Sequence, residues 1–230
     1  MVGKYAVIGV GRFGRAIAKA LSEKGLEVIA IDNNEEKIEK IKDDVALAIT
    51  LNSADKKALL AQNINEMEAV VLAIGENFEA LLLTAVYLME MKIPRIIARA
   101  NDEQQQMILE KMGIKEVLSP EDEVGKVVAE KLAHPSIVSF LQLPDGYEVA
   151  EIKAPQGIVK RTVQDIDFSN KYKLNLITIK REFEVEREGK TVMEDHVVGV
   201  TNAQTVVYET DTILLFGTSK DIEKFIEINE

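Results

Sequence analysis

The sequence contains no cysteine. This excludes a disulfide framework, zinc–thiolate sites and thiol catalysis, and it fits a reducing compartment. Cationic residues are in deficit: 28 Lys and Arg stand against 39 Asp and Glu, a formal net charge of −11. Nucleic-acid binding needs clustered Lys and Arg, so nucleic acid is not an expected partner. The longest helical apolar stretch, Ala80–Met89, falls well short of the ~20 residues that span a bilayer. No signal-peptide pattern precedes the strand-like run that begins at Lys4. The chain is expected to be soluble and cytosolic. Histidine is scarce as well, with only His134 and His196. The first precedes a proline and the second lies in an acidic, turn-like stretch, so both are expected at the surface. There is no Tyr-x-x-x-Lys pair, nucleophile elbow, Walker lysine or metal-ligating His cluster.

What is present is concentrated near the amino terminus. The run Gly9-Val10-Gly11-Arg12-Phe13-Gly14 follows the apolar stretch Tyr5-Ala6-Val7-Ile8, and Asp32 closes the next apolar stretch, Leu26 to Ile31. A Gly-x-Gly-x-x-Gly run alone is weak. After a strand, before a helix and with an acid at this distance, it signals phosphate binding of an adenine nucleotide. Gly9 permits the tight turn, Gly11 the approach of backbone N–H groups to phosphate, and Gly14 close packing of helix on sheet. Phe13, Ile17 and Leu21 give that helix one buried face. Its N-terminus suits an anion. Asp32 suits ribose hydroxyls and would repel a 2′-phosphate, which disfavours NADP. Arg12 can fork onto phosphate oxygens. The helix N-terminus already serves a pyrophosphate, so this arginine is most useful for a third phosphate; the alternative is a surface arginine pointing to water.

The first 140 residues alternate strand and helix. Strands are expected at Lys4–Gly9, Glu27–Asp32, Ala46–Leu51, Ala69–Ile74, Arg95–Ala100 and Glu116–Leu118, in an α/β, Rossmann-type doubly wound parallel sheet. Polar residues collect where these strands end: Asp32, Asn52-Ser53, Gly75-Glu76-Asn77, Arg99 with Asn101, and Glu121. Ligands bind at that edge of such sheets. A helix from Glu121 to about Ala133 carries the stripe Val124, Val127, Val128 and Leu132. It is read either as a dimerisation surface or as a core helix. A boundary at 140 divides a domain 1–140 from a small α+β domain 141–230. The latter shows strand-like runs at Leu174–Lys180, Phe183–Glu188, Lys190–Met193, Thr205–Tyr208 and Asp211–Gly217. A hairpin turn is expected at Glu188-Gly189, and an amphipathic helix from Ser219 to Ile228 with Ser219 as N-cap and Ile222, Phe225 and Ile226 buried. A nucleotide site without a visible proton relay points to a sensor rather than a catalyst. The rivals are an NAD-dependent oxidoreductase, which lacks its acid/base residue here, and an NADH-sensing transcription factor, which the charge balance opposes.

Three segments, Ala6 to Gly14, Ala30 to Lys37 and Ser119-Pro120-Glu121, resemble the RCK (KTN) domains of bacterial potassium uptake systems. The likeness is to cytosolic regulatory subunits of the Ktr and Trk type, the KtrA kind in particular, and runs through an RCK C-domain. The resemblance implies a non-enzymatic gating subunit. It implies homodimers that assemble into an octameric ring at the inner face of the membrane, beneath a membrane-embedded potassium channel subunit. It also implies ATP and ADP as ligands, with NAD(H) in some members, and cyclic di-AMP at an unlocated C-domain site in others. Carried over, Gly9, Gly11 and Gly14 match the phosphate loop, Asp32 the ribose acid, Arg12 the arginine reaching the terminal phosphate and Arg99 a basic position facing the nucleotide. Glu121 matches a carboxylate that binds a divalent cation, Mg²⁺ or Ca²⁺. With Phe13, Asn52, Ser53 and Gly75 from the loop and strand ends, these residues make up the candidate site.

Overall fold

The computed structural model describes residues 3–133, 135–187 and 190–230. His134 and the turn expected at Glu188-Gly189 lie outside the described residues. The chain divides into two compact units, residues 1–123 and 124–230.

The first unit alternates strand and helix throughout: β1 Lys4–Ile8, α1 Arg12–Glu23, β2 Glu27–Asp32, α2 Glu35–Glu39, β3 Leu47–Thr50, α3 Lys56–Ala61, β4 Ala69–Leu72, α4 Phe78–Glu90, β5 Ile96–Arg99, α5 Glu103–Met112 and β6 Glu116–Leu118. The strands form one sheet in the order β3-β2-β1-β4-β5-β6. Every neighbouring pair is parallel. The expected doubly wound sheet is therefore present, each strand within two residues of its expected limits.

Burial alternates along the strands. Ala6, Ile8, Ile31 and Leu72 pack with Leu81, Ala85 and Leu88 of α4 and Leu109 of α5 on one face. Val7, Val28, Ala30 and Val71 pack with Ala18 of α1 and Ile38 of α2 on the other. A strand covered by helices on both faces must be apolar at every position, which explains the unbroken runs Ala-Val-Ile and Val-Ile-Ala-Ile. Helices α2 to α5 start on side-chain caps: the oxygens of Asn34, Asp55, Asn77 and Asp102 each accept a first-turn backbone N–H.

Helix α6, Pro120–Ala133, begins in the first unit, and the division falls within it. The second unit holds β7 Ile137–Gln142, β8 Tyr147–Lys153, α7 Val163–Ile166, α8 Phe168–Tyr172, β9 Asn175–Arg187, β10 Lys190–Val197, β11 Thr212–Thr218 and α9 Ser219–Asn229. The boundary expected at 140 falls inside β7. The sheet order is β10-β9-β11-β8-β7, with all pairs antiparallel. Ala150, Ile152, Ile179, Ile213 and Leu215 pack against Phe168, Tyr172, Ile222, Phe225 and Ile226.

This unit departs from expectation in several places. The strands β7 and β8 and the short helices α7 and α8 are additional to the expected elements. The runs expected from Leu174 and from Phe183 form one strand, β9 Asn175–Arg187, because Arg181 between them is held by the buried Asp211 at 2.7 and 2.8 Å. Thr205–Tyr208 is no strand but a segment with one isolated bridge, Thr162 to Val206. The cap of α9 is Thr218, whose hydroxyl accepts from the Asp221 N–H, rather than Ser219. The α9 residues Ile222, Phe225 and Ile226 are buried as expected. Among the described residues no helix is long and apolar enough to cross a membrane.

Candidate functional site

The strand order of the parallel sheet reverses between β1 and β4. Such sheets open a ligand crevice at the carboxyl ends beside that point. A cleft of about 790 Å³ lies there, lined by Gly9, Gly11, Arg12 and Phe13 after β1, Asp32 at the end of β2, and Asn52 and Ser53 after β3. Gly75 after β4, Arg99 at the end of β5 and Glu121 in the first turn of α6 complete the set anticipated from sequence. Gly14 alone of that set does not line the cleft.

The three loop glycines differ physically. Gly9 has φ +92, and a Cβ there would lie 2.7 Å from the Ala73 carbonyl carbon. A Cβ on Gly14 would meet the Gly9 oxygen at 1.9 Å. Both are required by the fold. Gly11 is not: its φ of −61 and ψ of −169 suit any residue. A Cβ on it would meet no protein atom within 4 Å. The open space over Gly11 belongs to the cleft. Facing it is the first turn of α1, whose N–H groups have no intrahelical acceptors and carry the positive end of the helix dipole. Arg12 is exposed, and among the described residues it makes no hydrogen bond or ion pair. The result is an anion cradle with an uncommitted guanidinium beside it.

Asp32 is 7 % exposed. Its Oδ2 accepts from the Val10 N–H at 2.8 Å and its Oδ1 from the Asn34 N–H at 2.9 Å. The carboxylate therefore ties the glycine loop to the end of β2, and a carboxylate has lone pairs left for further donors. Asn52 accepts from the Ala54 N–H at 3.0 Å. Ser53 is buried, its hydroxyl 2.9 Å from that of Thr84 in α4. Arg99 lies over the Phe13 ring at 5.6 Å from its centroid and pairs with Glu121. Its Nε is buried without a hydrogen-bond partner among the described residues. Among the described residues no three acidic or His side chains gather around a metal-sized space, so Glu121 contributes a single carboxylate from α6.

A family model described as TrkA-N domain matches residues 5–120, which takes in every strand of the parallel sheet. The chain belongs to the TrkA-N family. Ktr system potassium uptake proteins C and A of Bacillus subtilis (strain 168) are each 31% identical over 222 residues, 96% of this chain and 95% of theirs. The solved RCK domain of GsuK superposes with a TM-score of 0.65 at 12% identity, covering 100% of this chain and 48% of that one. The resemblance to Ktr-type regulatory subunits is borne out.

In this TrkA-N protein the cleft also recruits residues that the motif did not single out. Lys37 of α2 and Glu79, in the first turn of α4, also line it. Asn101 donates to the Gly75 carbonyl at 2.5 Å, joining the loops after β4 and β5. Their sequence signal is positional: each lies at a strand's carboxyl end or in the helical turn that follows. His196 lies on β10 of the second unit with its side chain 51% exposed, as expected.

Proposed function

We propose that the protein is a cytosolic, non-enzymatic regulatory subunit of a potassium uptake system, and that it senses adenine nucleotides through the cleft. Gly11 carries this reading. The fold does not need a glycine there, yet a side chain would intrude into the cleft where the α1 N–H groups face it. A phosphate accounts for that space. In this reading Asp32 accepts from the ribose hydroxyls, Asn52 and Ser53 border the base, and Gly75 and Arg99 border the distal phosphates. Arg12 reads the third phosphate, which makes ATP and ADP the favoured ligands and NAD(H) the second choice. Glu121 would share a Mg²⁺ or Ca²⁺ with a phosphate, since hard cations take carboxylate and phosphate oxygens together.

The likeness to potassium uptake proteins over 96% of this chain supports a sensor over the NAD-dependent oxidoreductase. The named relatives are potassium uptake proteins, which supports a membrane-embedded potassium channel subunit as partner. Val124, Val127, Val128 and Leu132 of α6 are exposed, Leu132 by 77%. A stripe of that kind supports a homodimer built through α6, and from it the octameric ring. Gating is then a population shift. A ligand moves the assembly only by its differential affinity for two shapes, and the contact of Arg12 with a γ-phosphate supplies that difference between ATP and ADP.

Small-angle scattering of the purified protein with saturating ATP and then ADP tests the sensing claim. The expected result is a multimer whose profile differs between the two nucleotides. A monomer, or superimposable profiles, would contradict it.

A further inference from the structure

The pairing of Arg99 with Glu121 sets two anions in competition for one guanidinium. Arg99 stands at the end of β5 with its side chain 20% exposed and stacked on Phe13, the residue next to Arg12 in the phosphate loop. Its Nη1 lies 3.5 Å from where a Cβ of Gly75 would sit, an ordinary contact distance, so the guanidinium runs beside the loop after β4 on the cleft wall. Of the donors on its fork, one nitrogen bonds Glu121 and the buried Nε bonds nothing among the described residues. A guanidinium so placed is under-used, and a phosphate can take two of its N–H groups in parallel. Glu121 is a weak competitor: its side chain is 62% exposed, so water screens the pair.

We infer that Arg99 is a conditional phosphate-binding residue and that Glu121 is its intramolecular competitor, holding it away from the ligand until a polyanionic nucleotide displaces the carboxylate. This rests on the nucleotide reading above. It adds a regulatory consequence. Glu121 is followed by Asp122 and Glu123, so the first turn of α6 carries three successive acids. The helix dipole favours them there, but they repel one another, and the salt bridge to Arg99 is the compensation that nucleotide binding removes. Occupancy of the cleft therefore changes the charge balance at the start of α6, the helix through which the chain passes from the first compact unit into the second.

The test is ATP affinity by calorimetry in EDTA for the full chain and its Glu121→Gln, Arg99→Gln and doubly substituted forms. Glu121→Gln should bind ATP about two- to fivefold more tightly, the strength of an exposed ion pair. Arg99→Gln should bind more weakly, and adding Glu121→Gln to it should then change nothing. Glu79→Gln, on the same cleft but not paired to Arg99, serves as the control for a general loss of negative charge: its effect should be the same in both backgrounds. Arg99→Met, which keeps the long apolar stem over Phe13 and loses the charge, is a second background should Arg99→Gln lower the thermal midpoint. Unchanged or weakened ATP binding in Glu121→Gln overturns the inference and leaves the nucleotide reading standing, as does a gain that persists without Arg99. Failure of the unaltered protein to bind ATP overturns both.

Discussion

Replacing Gly11 by alanine separates the needs of the fold from the needs of the ligand. Two stability terms oppose each other. Alanine restricts the unfolded chain, which stabilises by about 0.4–1 kcal/mol where the native φ and ψ are compatible, as they are at φ −61 and ψ −169. Gly11 is also the N-cap of α1, and alanine is a poorer N-cap than glycine by roughly 0.5–1 kcal/mol. With no protein atom within 4 Å of the added Cβ, no steric term enters. The sum is close to zero, and the thermal midpoint should move by no more than about 2 °C in either direction. Binding should behave differently. The methyl group occupies space over the α1 N-terminus and removes at least one charge-assisted N–H bond to phosphate, worth ~1.5–3 kcal/mol, so affinity should fall about ten- to a hundredfold. Scanning fluorimetry and calorimetry on the same preparation give both numbers. Gly14→Ala is the contrasting control, because its Cβ would lie 1.9 Å from the Gly9 oxygen and the fold itself should suffer. A Gly11→Ala protein that binds ATP as the unaltered protein does would refute the assignment of that space to a phosphate. A strongly destabilised one would show that the fold, not the ligand, requires the glycine.

Arg12→Ala should cost ATP affinity about ten- to a hundredfold more than ADP affinity, the scale of one charged hydrogen bond; equal losses in parallel titrations would remove its γ-phosphate role. Asp211→Ala leaves Arg181, whose side chain is 21% exposed, without its bidentate carboxylate. It should destabilise the second unit by about 3–5 kcal/mol, read as a lower urea midpoint at unchanged slope; a loss below ~1 kcal/mol would show the pair to be dispensable. The Glu151 carboxyl is pushed up by burial, but bonds from Lys180 and Ser139 outweigh this and hold it below the usual carboxylate range. Its contribution is therefore present above the unfolded carboxylate value of about 4.3 and is lost as pH falls through the lower folded value. Glu151→Gln should flatten the acid limb of the stability–pH curve, and, because the bond to Glu151 is what holds the Lys180 ammonium above its ordinary value, it should also flatten the alkaline limb; an unaltered acid limb would contradict this.

The parallel sheet was legible because burial on both faces leaves no room for polar residues within its strands, and because the carboxyl ends of five of its six strands are marked by glycine, Asp32 or an Asn, and that of β6 by Ser119-Pro120. The antiparallel sheet spoke less clearly. In β8 the inward positions are Glu148, Ala150 and Ile152, while Tyr147 and Val149 point the other way, so apolar alternation never declares a face. Glu148 is tolerated inside through a bond from Ser219, 71 residues away in sequence. The Arg181-Glu182 pair reads as a break in β9 until Asp211 is brought to Arg181. Helices of four and five residues, α7 and α8, are shorter than two helical turns, too short for periodicity to reveal. At the site, the loop glycines and Asp32 carry a spacing signal. The Arg99–Glu121 pair does not: its partners are 22 positions apart and meet only because β5 and β6 are neighbours in the sheet. The role of Asp32 in bonding the loop backbone at Val10 was equally invisible, since it depends on the strand order that places β2 beside β1.

Calorimetric titration of the purified full-length protein with ATP, followed by displacement with ADP, tests the central claim most directly. The expected result is saturable binding of both nucleotides at one common site, with displacement in either order. Absence of saturable heat for ATP, ADP and NADH alike would contradict the assignment of the cleft to an adenine nucleotide.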